Sequence, residues 1–128
     1  MKLLLDTHTF IWWDSAPDKL SETALTLIYE ADNTVMLSVV SVWEIQIKSQ
    51  IGKLALTSPL ADIVRTQQSI NGIEVLPIAL NHVMTLDQLP LHHKDPFDRM
   101  LIAQAISEKA MLISRDAALA RYSVSVRW

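Results

Sequence analysis

The chain has 128 residues, half of them hydrophobic, with no cysteine, two glycines and a net charge of −3. That length predicts one domain over residues 1–128 with a single core. The composition excludes disulfide frameworks, thiolate catalysis and Cys-based zinc fingers. Two glycines exclude a Gly-rich phosphate loop or a dinucleotide fingerprint, and the mildly acidic balance argues against a protein that merely coats nucleic acid.

Taken in chain order, residues 2–5 form a short apolar run that predicts a buried strand. Residues 7–14 predict a short helix carrying Phe10, Ile11, Trp12 and Trp13, ended by Pro17. Ser21 starts a helix to about residue 31, and Asp32-Asn33 turns the chain. Residues 34–38 predict a second strand. Ser38 or Ser41 then caps a helix through about residue 50, stopped by Gly52. Thr57-Ser58-Pro59 opens another helix with Pro59 in its first turn, closed by Asn71-Gly72. Residues 73–78 predict a third strand, and residues 80–89 a helix ending at Pro90. Asp95-Pro96 starts a long helix to about residue 109. Residues 110–114 predict a fourth strand, 116–122 a short helix, and 123–126 a last strand.

Short apolar strands alternating with helices predict an α/β fold: a three-layer sandwich around a central, mostly parallel sheet of four to five strands. The uncharged stretches 33–43 and 75–86 are too short to span a membrane, which takes ~18 to 20 apolar residues. Asp6 ends the N-terminal apolar run too early for a secretory signal. A reducing cytoplasm is compatible with the lack of cysteine.

In open parallel sheets the ligand site lies beyond the carboxyl ends of the strands. The residues just past each strand are therefore informative. Asp6 comes directly after the first, a helix bearing Glu44 after the second, and Asp116 after the fourth. The long helix before that fourth strand begins with Asp95 and carries Asp98 in its first turn. Each acid has a plain structural reading. Asp6, Asp95, Asp98 and Asp116 stand where helices start, and Asp is a favoured cap. Glu44 precedes Lys48 by four residues, an ordinary helical ion pair. Yet Glu44 is surrounded by Val40, Val42, Trp43, Ile45 and Ile47, which predicts a buried helix and a costly buried carboxylate unless it is paired or metal-bound. Capping requires no common location for these acids; a metal site does. Gathered carboxylates raise one another's pKa, and an oxygen-only ligand set suits Mg2+ or Mn2+.

These motifs together resemble the PIN-domain family, and within it the VapC-type ribonuclease toxins of type II toxin–antitoxin systems. Four segments carry the resemblance, which spans essentially the whole chain. They are Asp6-Thr7-His8, Ser38-Val39-Val40-Ser41-Val42-Trp43-Glu44-Ile45, His93-Lys94-Asp95-Pro96-Phe97-Asp98-Arg99, and Leu112-Ile113-Ser114-Arg115-Asp116. The resemblance implies a metal-dependent endoribonuclease acting on tRNA or another structured RNA. It places metal binding and catalysis on Asp6, Glu44, Asp98 and Asp116. Thr7 and Ser114 would orient carboxylates or water, and Asp95 is a helix cap and supporting acid. It also implies a homodimer, a VapB-type antitoxin, and contact with operator DNA only through that antitoxin.

Lys48, Lys53, Lys94, Arg99 and Arg115 lie near the acids in sequence and are candidates for RNA phosphates, Lys48 and Arg99 foremost, against ion pairing with neighbouring acids as the alternative. His93 is weighed as catalytic and set aside, with His8, His82 and His92, in favour of polar loops and satisfied hydrogen bonds. Trp43 is expected in the core. Trp12 and Trp13 are expected to pack at the sheet edge, with a partner groove for one of them as the alternative, and Trp128 carries no expectation. Two other classes stay open: a PIN-like module that binds RNA or protein without cutting, and a phosphoacceptor receiver domain. The receiver lacks its paired acid after the first strand and its acceptor after the third.

Overall fold

The computed structural model describes residues 1–128. Its elements run β1 (Lys2–Leu5), α1 (Thr7–Ser15), α2 (Glu22–Tyr29), β2 (Thr34–Ser38), α3 (Val39–Gln50), α4 (Leu60–Asn71), β3 (Glu74–Leu76), α5 (Leu80–Leu86), α6 (Pro96–Glu108), β4 (Met111–Ile113) and β5 (Val126–Arg127). The strands form one sheet in the order β3-β2-β1-β4-β5, and every neighbouring pair is parallel.

The first strand sits at the centre, and Leu3, Leu4 and Leu5 are all fully buried. Successive side chains of a strand point to opposite faces. Leu3 and Leu5 accordingly join a core with Phe10, Trp13, Ala24, Ile28, Ile45 and Ile63, from helices α1 to α4. Leu4 joins a second core with Leu101, Ile102 and Ala105 of α6. Helices therefore cover both faces, which is why the strands read as unbroken apolar runs rather than alternating ones. No helix is long and apolar enough to cross a membrane.

Several boundaries differ from expectation for local reasons. Strand β3 stops at Leu76 because Pro77 has no N–H for the ladder. Helix α4 begins at Leu60, so Pro59 stands just outside it, and Gly72 closes it with φ 64°. Helix α5 ends at Leu86, and residues 87–89 continue as a tighter turn with i→i−3 bonds. Residues 117–121 form a 3-10 helix, and the last strand falls at Val126–Arg127, beyond the expected 123–126.

The aromatic expectations need one larger correction. Trp43 is 54% exposed, not core, and rests edge-on against Phe97. Helix α3 is apolar on most sides but buries only one. Val40, Ser41, Glu44 and Ile45 face inward, while Val39 and Trp43, four residues apart, face out. Trp13 is buried and donates to the Tyr29 hydroxyl at 3.0 Å, whereas Trp12 is half-buried and meets Trp128 edge-on.

Candidate active site

Strands β1, β2 and β4 end side by side, and the residues that come after them converge. The Asp6 N–H donates to the Ile113 carbonyl, which ties the end of β1 to the end of β4. One Asp6 oxygen caps α1 by accepting from the Thr9 N–H at 2.8 Å, while the other accepts from the Ser114 hydroxyl. The Ser114 oxygen in turn accepts the Asp116 N–H at 3.0 Å. A single buried hydroxyl thus fixes two acids that are 110 positions apart in the chain.

Glu44 enters from α3 and is buried. The Thr7 hydroxyl, also buried, lies 2.6 Å from Glu44 Oε1 and 3.0 Å from Ser41 Oγ. The other Glu44 oxygen pairs with Lys48 Nζ at 2.8 Å. The helical ion pair read from the sequence is therefore present, but its acid faces the interior rather than solvent.

Asp95 accepts from the N–H groups of Phe97 and Asp98 at 2.8 and 3.2 Å, which starts α6 and fixes Asp98 in its first turn. Asp116 caps the following 3-10 helix by accepting from the Ala118 N–H. Capping and site placement are thus the same event for these acids. The cap holds one oxygen, and the remaining lone pairs stay available.

The electrostatics identify Asp98 as the strained member. Its carboxyl is pushed up to about 6, first by burial, then by the charge of Asp95, and further by Glu44 and Asp6; His93 alone pulls it down. Burial disfavours the charged carboxylate, and the like charges facing it add to that. His93 is a group that sequence reasoning sets aside. Its Nε2 lies 3.2 Å from Asp98 Oδ2 and 3.9 Å from Asp116 Oδ2. Its Nδ1 accepts the Asp95 N–H at 3.0 Å, so the neutral ring carries its proton on Nε2. His93, Asp98 and Asp116 lie close enough to hold an ion together. The tautomer makes His93 a donor to the two acids rather than a metal ligand. Its position two residues before Asp95, at the helix start, was the available signal. Ser41, held by Thr7, was the other residue missed.

Lys48 and Arg99 are both engaged within the protein. Lys48 holds Glu44, and Arg99 donates to the Pro90 carbonyl at 2.9 Å and to the Tyr122 hydroxyl at 3.3 Å, bracing the loop before α6. Both therefore have partners within the protein.

The chain belongs to the PIN-domain family, whose model matches residues 3–124. It is similar to Ribonuclease VapC22 of Mycobacterium tuberculosis, with 28% identity over 118 residues, covering 91% of this chain and 88% of that protein. Among solved structures, it is similar to VapBC2 from Rickettsia felis bound to a promoter DNA fragment, with TM-score 0.76 and 16% identity over 99% of this chain and 98% of that one. It is also similar to VapBC-5 from Mycobacterium tuberculosis, a member of the VapBC family of toxin-antitoxin systems, with TM-score 0.60 and 22% identity over 98% and 95% of the two chains. These structural likenesses establish the three-layer fold.

Proposed function

We propose that residues 1–128 form a single PIN domain that acts as a VapC-type endoribonuclease toxin, cutting RNA phosphodiester bonds with a divalent cation. The observation that carries this reading is the convergence of the acids: Ser114 links Asp6 to Asp116, His93 lies against both Asp98 and Asp116, and burial with the charges of Asp95, Glu44 and Asp6 pushes the Asp98 carboxyl up to about 6. Lys48 pairs with Glu44. Asp6, Glu44, Asp98 and Asp116 provide hard oxygen donors and no sulfur, a set that fits Mg2+ or Mn2+. The bound cation would supply an activated water and neutralise charge developing on the phosphate.

The chain's own residues do the rest. Ser114 and Thr7 orient Asp6 and Glu44 by hydroxyl hydrogen bonds. Asp95 sets the first turn of α6, and His93 Nε2–H holds Asp98 facing its partners. The substrate is tRNA or another structured RNA, and the setting is the cytoplasm, where such RNA is found.

A VapB-type antitoxin would neutralise the enzyme and alone contact operator DNA. The naming of the similar structures as VapBC assemblies supports that partner. An apolar cleft lined by Ile11, Leu54, Leu56 and Leu60 offers it a docking place. A homodimer is supported by the outward apolar groups Val39 and Trp43 of α3 and Leu80 and Met84 of α5.

The test is cleavage by the purified chain with Mg2+, with Mn2+ and in excess EDTA, beside Asp6→Asn and Asp98→Asn. Cleavage that persists in EDTA, or in either folded variant, ends this reading. Sequencing RNA ends after brief induction would identify the target, and binding without cutting would favour a non-cleaving module.

A further inference from the structure

With Lys48 and Arg99 engaged internally, the RNA backbone needs other cations beside the acids. Arg115 stands between Ser114, bonded to Asp6, and Asp116. It is exposed, and neither Asp116 nor any other carboxylate lies within ion-pairing distance of it. Its guanidinium sits 5.9 Å from the centre of the Trp12 ring. Lys19, equally exposed and without an acid partner, places its ammonium 5.9 Å from the same ring. Trp12 is steadied by the edge of Trp128 at 5.9 Å and by the exposed His8 ring at 5.8 Å.

Both cations thus lie against one ring and neither has a carboxylate partner. Cation–aromatic contact holds such side chains in place, and each remains free to pair with an anion such as a phosphate. The cluster also starts at the site itself. Helix α1 carries Trp12 away from Asp6, and Arg115 immediately precedes Asp116. Cations interleaved with aromatic rings along a groove are how proteins hold single-stranded nucleic acid without reading its sequence.

We propose that Arg115 and Lys19, braced on Trp12, form the track that holds the RNA backbone on one side of the bond to be cut. The proposal rests on the ribonuclease reading. It singles out Arg115 among the basic residues next to the acids and adds Lys19, which packing alone brings to the same ring.

The experiment is equilibrium binding of labelled total tRNA, whose loops present single-stranded backbone, to the full chain carrying Asp98→Asn, which leaves the RNA intact. Affinity is followed across salt concentrations. Each lost phosphate contact should lower the slope of log affinity against log salt by about 0.7. Arg115→Gln and Lys19→Gln should each weaken binding several-fold at low salt and flatten the slope by that amount. Lys109→Gln, at the C-terminal end of α6 and the far end of the sheet, should change neither. If the Arg115→Gln/Lys19→Gln chain keeps the parent affinity and slope while the unsubstituted chain cuts RNA, the track is wrong and the ribonuclease reading stands. The cationic cluster would then face an acidic protein segment instead. If the unsubstituted chain neither binds nor cuts RNA, both fall together.

Discussion

Helix α6 places an acid at each end, and the two are treated in opposite ways. Near its start, Asp98 faces Asp95, Glu44 and Asp6, and its carboxyl is pushed up to about 6. At its last residue, Glu108 accepts from His82 at 2.9 Å and pairs with Lys2 at 3.5 Å, and its carboxyl is pulled below the usual range, chiefly by the His82 hydrogen bond. Behind Glu108 the network is closed. His82, almost fully buried, accepts the Ala79 N–H on Nδ1, which puts its proton on Nε2 toward Glu108. Gln104 donates to the Pro77 carbonyl at 3.2 Å and accepts from Ser38, whose oxygen also accepts the Val40 N–H at the start of α3. No buried side-chain polar atom lacks a partner. A satisfied network of this kind rigidifies a core. The acid end is satisfied in hydrogen bonds but not in charge, and that remaining charge is what the proposed cation would neutralise.

The sharpest way to break the contrast is to remove an acid from each cluster. Asp98→Asn or Asp6→Asn should cut RNA cleavage by more than ~100-fold, because residues that merely orient metal ligands already cost about 10- to 100-fold. The variants should melt as cooperatively as the parent by circular dichroism. In the other cluster, His82→Ala should cost about 2–4 kcal/mol of folding stability in urea titration, through a cavity and the unpaired groups it leaves. The folded fraction should still cleave RNA at the parent rate.

Ser114→Ala tests whether one hydroxyl orients Asp6. It should lower cleavage about 10- to 100-fold, with a weaker response to Mg2+ in thermal melting.

The pH dependence carries a sign. The Asp98 carboxyl titrates near 3.8 unfolded and about 6 folded. Between those values the folded chain binds more protons, so stability in EDTA falls as pH rises through the window and the full cost stands above 6. Allowing for its partial exposure, Asp98→Asn should stabilise the metal-free chain by about 1–2 kcal/mol at pH 8, and by nothing below pH 4. Mg2+ should raise the melting temperature more at pH 8 than at pH 5. The smallest effect has the opposite sign. Glu108→Gln should cost less than about 1 kcal/mol at neutral pH, and the loss should shrink as pH falls through the usual carboxylate range.

Much of the candidate site could be read directly, because strand ends and helix starts are local features. Asp6, Asp95 and Asp116 are recognisable as caps from their neighbours, and the same backbone positions deliver them to the carboxyl end of a parallel sheet; Asp98, expected to share the cap with Asp95, does not, because the Asp95 N–H goes to His93 Nδ1 instead. Trp43 is misplaced by sequence reasoning because a helix apolar on nearly every side gives no clue to which side the sheet covers. His93 escapes it because its value depends on a ring orientation fixed by the Asp95 N–H, a bond that forms only when the loop before α6 is folded. Lys48 and Arg99 look free for the same reason: their partners, a buried Glu44 oxygen and the carbonyl and hydroxyl groups around the loop, are set by packing.

The order of strands and helices, and the acids at their junctions, were determined by the sequence alone, since apolar runs, caps and prolines act over a few residues. Which charges remain uncompensated was decided only by the tertiary structure. Coulomb energy depends on distance and burial, and residues from β1, α3, α6 and the end of β4 become neighbours only when the central sheet is assembled.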